Sequence, residues 1–326
     1  MTLRPVFLLS MPRSGSTLLQ SILGAHPDIA TAPEPWFLLS LAGLRDATGS
    51  HARYNATIAQ RAFTDLDRVA AERGGSIDHA IRAFTLEAYQ QLAHDGAQFF
   101  VDKTPRYAAI ADWLREIFPD AAFIVLWRDP RDVIASMIRT WGGGRWNVFL
   151  YEYDLFAGAN ALSRFATDPS VLSVTYEELV ASPAVTLKLI DDYLDLSVPI
   201  SHHAPDDENF DLVVGAMGDP TGLKRYGSAM STESVGSWRS VFEGRIRSRW
   251  LSKYVSEVFP GPHTNVPYST ETMLREIRAN VTKTVDDPTD AALVPLTRVW
   301  PTVNEFTGFR AEESVRALYE RVRSRK

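Results

Sequence analysis

Arginine, hydroxyl side chains and a single glycine crowd into Pro12-Arg13-Ser14-Gly15-Ser16-Thr17-Leu18, directly after the apolar run Val6–Met11. The run reads as a buried parallel strand. Pro12 stops it, and Thr17–Leu23 reads as a helix with Gly24 placed to end it. A strand, a tight turn and a helix start gather backbone N–H groups around one point, where the helix dipole adds positive potential. Arg13 adds a fixed charge; Ser14, Ser16 and Thr17 add hydroxyl donors. These residues suit a phosphate or sulfate cradle, and they equally fit an ordinary strand–loop–helix with a surface arginine. The stretch is not a Walker A loop, because it has one glycine and no lysine after it.

Three further groups could join that chemistry. Glu34 lies between Pro33 and Pro35, 21 residues after Arg13. A glutamate between two prolines has a stiff backbone, and one strand–helix–strand passage could return it to the same sheet edge. It reads as a base or as a solvated loop carboxylate. Phe99–Lys103 reads as a strand with a lysine at its end. Ala121–Trp127 is the most apolar strand and ends in Arg128-Asp129-Pro130. Pro130 suits the first turn of a helix, with Asp129 as its N-cap. Ser136 follows Arg128 by eight residues, about two helical turns. An arginine and a hydroxyl so placed could clasp one phosphate from two sides, or belong to a surface network.

The elements that must position these groups follow from patterning. Strands recur at intervals of tens of residues with helices between them, including short candidates at Ile29–Ala32 and Val171–Thr175. That argues a parallel sheet covered on both faces, with polar residues at strand ends where open α/β sheets place ligands. Helices are expected over Ala56–Glu72, Ile77–His94, Tyr107–Phe118, Val148–Ala166, Pro183–Leu194, Gly244–Val258, Glu271–Thr284 and Ala311–Arg323. Residues 45–96 read as a helical cap inserted in one domain spanning 1–326, with a C-terminal helical extension over 260–326. From Val198 to Ser240 the pattern breaks down into the kind of long loop that is often functional.

The 326 residues are 45% hydrophobic and carry a net charge of -6. No basic face is signalled, which argues against nucleic acid as a partner. With no cysteine there is no disulfide framework and no thiolate chemistry. No stretch approaches the roughly 18–20 apolar residues of a membrane span, and no secretory layout is read at the N-terminus. A cytoplasmic location and no metal are therefore expected.

Met11-Pro12-Arg13-Ser14-Gly15-Ser16-Thr17-Leu18-Leu19 resembles the 5′-phosphosulfate loop of sulfotransferases, and Trp127–Met137 resembles their 3′-phosphate motif. The form of the first motif is most similar to the tyrosylprotein sulfotransferase branch and its bacterial relatives. The resemblance implies a P-loop-like three-layer sandwich with a central, mostly parallel sheet flanked by helices. It implies 3′-phosphoadenosine 5′-phosphosulfate (PAPS) as donor, 3′-phosphoadenosine 5′-phosphate (PAP) as product, and a small-molecule or carrier-bound hydroxyl as acceptor. On that basis Arg13, Ser14, Gly15, Ser16, Thr17 and Leu18 would hold the phosphosulfate, and Arg128 and Ser136 the 3′-phosphate. Tyr176 belongs to a further similar segment; Lys224, Arg225 and Ser237 are carried by loop similarity, and Gly236-Ser237-Trp238 looks like the late donor-binding loop. Glu34 would be the general base, Arg13 and Lys103 would face the bridging oxygen, and His26 is the reserve base. One departure stands out: the tyrosylprotein branch has an arginine two residues after its glutamate, and here that position is Trp36. The acceptor and the oligomeric state are left open. A P-loop-type kinase and a non-catalytic nucleotide-binding relative are the rival readings.

Overall fold

The structure, a computed structural model, describes residues 3–45, 56–201, 231–260, 266–307 and 314–315. Five strands, β1 (Arg4–Ser10), β2 (Ile29–Thr31), β3 (Phe99–Asp102), β4 (Ala122–Trp127) and β5 (Leu172–Thr175), form one sheet in the order β2-β3-β1-β4-β5. Every pairing is parallel, with Val6 opposite Val101, Leu8 opposite Ile124 and Leu126 opposite Val174. The sheet is thus parallel throughout, a stricter arrangement than the mostly parallel one expected.

The helices in chain order are α1 (Ser16–Gly24), α2 (Phe37–Ala42), α3 (Ala56–Glu72), α4 (Ile77–Leu92), α5 (Ala111–Ile117), α6 (Pro130–Thr140) and α7 (Ala159–Phe165). They continue with α8 (Tyr176–Ala181), α9 (Pro183–Leu194), α10 (Arg245–Val258), α11 (Thr270–Ala279), α12 (Pro288–Leu293) and α13 (Leu296–Thr307). Alternate strand residues face opposite layers. Val6, Leu8, Ile124 and Leu126 pack with α1, α8 and α9 through Leu19, Leu179 and Ile190. Phe7, Leu9, Val125 and Trp127 pack with α5, α6 and α7 through Leu114, Val133 and Leu162. That second core also takes in Leu251 and Tyr254 of α10, Ile277 of α11 and Trp300 of α13. Burial on both faces is why β1 and β4 are near-continuous apolar runs.

Parallel strands send all five carboxyl ends to one edge. The order there is Glu34 beyond β2, Lys103 after β3, Arg13 beyond β1, Arg128 after β4 and Tyr176 after β5.

Three expected helices differ. Val148–Ala166 is not one helix: a 3-10 turn (Val148–Tyr151) and a π-helical turn (Asp154–Gly158) precede α7. A π turn accommodates an extra residue in the helix, and Asp154, which opens it, pairs with Arg106. Tyr107–Phe118 is a 3-10 helix (Pro105–Ile110) followed by α5. The helix expected to reach Thr284 ends at Ala279, where Asn280 turns its side-chain amide to the carbonyls of Arg239 (2.8 Å) and Phe242 (3.1 Å). The helix expected over Ala311–Arg323 lies almost wholly outside the described residues. Among the described residues no helix is long and apolar enough to cross a membrane, and no group of three or more His, Asp or Glu side chains could hold a metal.

Candidate active site

The loop between β1 and α1 alternates conformations. Arg13 (φ 69°) and Gly15 (φ 89°) are left-handed on either side of Ser14. Such alternation turns successive N–H groups into one concavity. Gly15 is the N-cap of α1 and no side chain caps the helix, so its first-turn N–H groups have no side-chain acceptor. Ser14 is buried and its hydroxyl has no hydrogen-bond partner among the described residues. A Cβ at Gly15 would stand 2.4 Å from Cδ2 of Tyr176, so glycine is needed for space as well as for φ.

The side chain of Arg13 runs toward α6. Its Nε donates to Ser136 Oγ (3.2 Å) and its Nη2 to Thr140 Oγ1 (3.3 Å), and the guanidinium lies 5.5 Å over the Trp141 ring. Arg128 approaches the same loop from β4. It donates to the carbonyl of Arg13 and to that of Ser234, both at 3.0 Å, and lies 4.5 Å over the ring of Tyr176. Its Nε is buried and has no hydrogen-bond partner among the described residues. Tyr176 is fixed in turn by a 2.7 Å hydrogen bond between its hydroxyl and Ser234 Oγ. Arg128 and the Ser14 hydroxyl, each with a polar atom unpartnered among the described residues, therefore meet at the cradle beside Arg13.

On the other side of β1, Lys103 Nζ donates to Glu34 Oε1 at 2.5 Å and to Thr17 Oγ1 at 3.4 Å. Lys103 is 2% exposed and Glu34 12%. The pair is nearly buried, so each charge depends on the other. The second carboxylate oxygen of Glu34 accepts from the indole Nε1 of Trp36 at 2.9 Å. Behind them lies Asp102, wholly buried and bonded by the hydroxyls of Tyr89 (2.5 Å) and Thr104 (3.0 Å). Burial pushes its carboxyl up to about 7.

The Sulfotransferase family model matches residues 5–199, more than half of the chain. The chain belongs to the sulfotransferase family. Among its curated relatives is nodulation protein NoeE of Sinorhizobium fredii, 41% identical over 42% of this chain and 31% of the relative. Another is protein-tyrosine sulfotransferase 2 of Gallus gallus, 25% identical over 59% of this chain and 51% of the relative. The chain thus spans a third to a half of the length of these relatives. The sulfotransferase domain from the curacin biosynthetic pathway aligns over 87% of this chain and 99% of its own, with 21% identity and a TM-score of 0.49.

Not every residue expected at the site of this sulfotransferase family member reaches it. His26 is committed elsewhere: its Nε2 bonds the carbonyl of Val198 at 2.8 Å and its Nδ1 accepts from the amide of Asp28 at 3.1 Å. It sits past the far end of α1 from the cradle, so it serves the turn and not the site. Ser237 uses its hydroxyl to donate to Asp132 Oδ1 at 3.1 Å. Lys224 and Arg225 lie outside the described residues.

Sequence reasoning missed Asp132. Its carboxylate accepts from the amides of Gly236 and Trp238, both at 2.7 Å, and so holds the late loop against the start of α6. Burial raises its carboxyl above the usual range. Arg131, 4.3 Å over the Trp238 ring, pairs with Asp129 (2.7 Å) and with Glu276 of α11 (2.8 Å). Tyr268 donates to Glu177 (2.6 Å), whose other oxygen accepts the Asp129 amide (3.0 Å). The acid repeat Asp129-Pro130-Arg131-Asp132 was the available signal, but the partners of Asp132, Gly236 and Trp238, lie more than 100 residues away.

Proposed function

We propose that this chain transfers a sulfuryl group from PAPS to the hydroxyl of a small-molecule or carrier-bound acceptor, releasing PAP, and that residues 1–326 act as one domain. Its residues fit a donor with a phosphate at each end. The cradle at Ser14–Leu18 suits the phosphosulfate; Arg128, three strand spacings along the edge from Glu34, and Ser136 of α6 suit the 3′-phosphate. Ser14 Oγ and Arg128 Nε, unpartnered among the described residues, are the donors such an anion would satisfy.

Glu34 takes the acceptor's proton as its oxygen forms the new O–S bond, and the bridging S–O bond breaks in line with it. Charge then grows on the bridging oxygen, as in phosphoryl transfer. Lys103 and Arg13 are the cations that would meet it, acting by preorganised charge. The observation that carries this reading is the contact chain Glu34–Lys103–Thr17, at 2.5 and 3.4 Å, which ties a carboxylate to the first turn of the anion-binding helix.

The test is Glu34→Gln, which keeps an oxygen for Lys103. Loss of a positioned base should lower turnover about 10²–10⁴-fold, with PAP affinity, measured by calorimetry, unchanged. Unchanged turnover removes Glu34 from the role. A radiolabelled PAPS screen over sugar, lipid, phenol, polyketide alcohol and tyrosine-peptide hydroxyls names the acceptor class; label accepted by none of them refutes the transfer reading.

A further inference from the structure

Trp36 is built in a costly way. It follows Pro35 with φ 58° and ψ -17°, a left-handed conformation in a bulky residue. The amide of Phe37 donates to the carbonyl of Pro35 at 2.7 Å, so Trp36 is the centre of a three-residue turn of the rare left-handed kind. Such a conformation persists only where the surroundings enforce it, and it often marks a functional position. Here the turn folds the indole back on the carboxylate two residues earlier. Trp36 Nε1 holds Glu34 Oε2 while Lys103 holds Oε1.

The ring is itself held. Arg106 lies 5.2 Å over its face, and Arg106 is clamped by both carboxylate oxygens of Asp154 at 2.9 Å. Asp154 is 5% exposed and opens the π-helical turn that interrupts the expected helix. Two backbone irregularities, one on each side, thus meet at the same indole.

We infer that Trp36 is a positioning residue: it fixes the plane of the Glu34 carboxylate, and Arg106 and Asp154 fix Trp36. With one N–H on each oxygen, a carboxylate keeps a lone pair on each to accept from a hydroxyl. Without the indole it can rotate about its last torsion, which is broad and soft. Small misplacements of a reacting group cost rate steeply. This inference rests on the reading of Glu34 as the base.

The experiment is a cycle of Trp36→Phe and Glu34→Gln. Phenylalanine keeps a ring for Arg106 and removes only the N–H. With the hydroxyl acceptor returned by the PAPS screen, Trp36→Phe is expected to lower kcat about 10-fold or more while acceptor KM and PAP affinity stay within about twofold. In the Glu34→Gln background the same change should alter residual turnover less than about twofold. A crystal structure of Trp36→Phe should show the Glu34 carboxylate rotated or in two orientations. If kcat is unchanged, if KM rises instead, or if the carboxylate stays in place, the positioning role is wrong. Should Glu34→Gln leave turnover intact, it is the base that fails, a result separable from a neutral Trp36→Phe.

Discussion

Substituting Gly15 by alanine tests whether the cradle is set by space and backbone together. The added methyl would lie 2.4 Å from Cδ2 and 2.7 Å from Cε2 of Tyr176. The ring cannot step aside cheaply. Its hydroxyl is bonded to Ser234 Oγ at 2.7 Å, and Arg128 lies 4.5 Å over its face. The backbone stands at φ 89°, where an L-residue costs about 1–2 kcal/mol. Forcing an extra carbon into a packed site costs about 1–3 kcal/mol more. The less flexible unfolded chain returns only about 0.4–1 kcal/mol, so the sign is destabilising. Urea unfolding should show a loss of about 2–4 kcal/mol. Calorimetry with PAP should show affinity down at least about 10-fold, since each decade is about 1.4 kcal/mol and Arg128 moves with the ring. In a Tyr176→Ala background the clash is gone, and alanine at 15 should cost only the backbone part less the unfolded-chain return, about 1 kcal/mol. Equal penalties in both backgrounds would refute the steric half of the argument; no penalty in either would refute both halves.

Arg128→Ala should weaken PAP about 10–100-fold, the worth of a charge-assisted hydrogen bond, and weaken adenosine 5′-monophosphate far less; equal losses for the two nucleotides would place Arg128 elsewhere than the 3′-phosphate. Asp102 offers a pH test. Its carboxyl rises from 3.8 to about 7 on folding because it is buried, so the folded state binds the proton more tightly than the unfolded chain. The stability this gives is fully present below pH 3.8 and is lost as pH rises through about 7, in total about 4 kcal/mol at 1.36 kcal/mol per unit. Asp102→Asn should flatten that slope in urea unfolding between pH 4 and 7; an unchanged slope would assign it to other groups.

Most of this architecture was legible because strand ends carry both its signals at once. The run before Pro12 and the run before Arg128 are apolar on both faces, as in a covered parallel strand, and each stops at a polar turn. Every residue that resisted sequence reasoning depends on a partner far along the chain. His26 sits in a motif-like turn, yet Val198, 172 residues away, claims one of its nitrogens. Asp132 is one acid among several until Gly236 and Trp238 are found on its two oxygens. The expected helix over 148–166 has the right period but carries Asp154, whose pairing with Arg106 outweighs regular helix geometry. Propensity is local, and tertiary pairing overrode it at these positions.

The sheet order also explains why a lysine must lie between Glu34 and the β1–α1 loop. Neighbouring strands are about 4.8 Å apart, and β3 separates β2 from β1. Glu34 follows β2, and Thr17 follows β1. The two ends are therefore about 10 Å apart, beyond the reach of a glutamate to a threonine hydroxyl. A group rooted at the end of β3 is adjacent to both. Lys103 is that group, and its ammonium, with three N–H donors, contacts Glu34 at 2.5 Å and Thr17 at 3.4 Å. A shorter cation could not span both contacts. An arginine would bring a planar fork suited to gripping one carboxylate by both oxygens, and would displace the indole of Trp36 from Oε2. The lysine thus leaves one carboxylate oxygen to Trp36 and keeps contact with the helix start, so the proposed base and the proposed anion-binding turn are set by a single side chain.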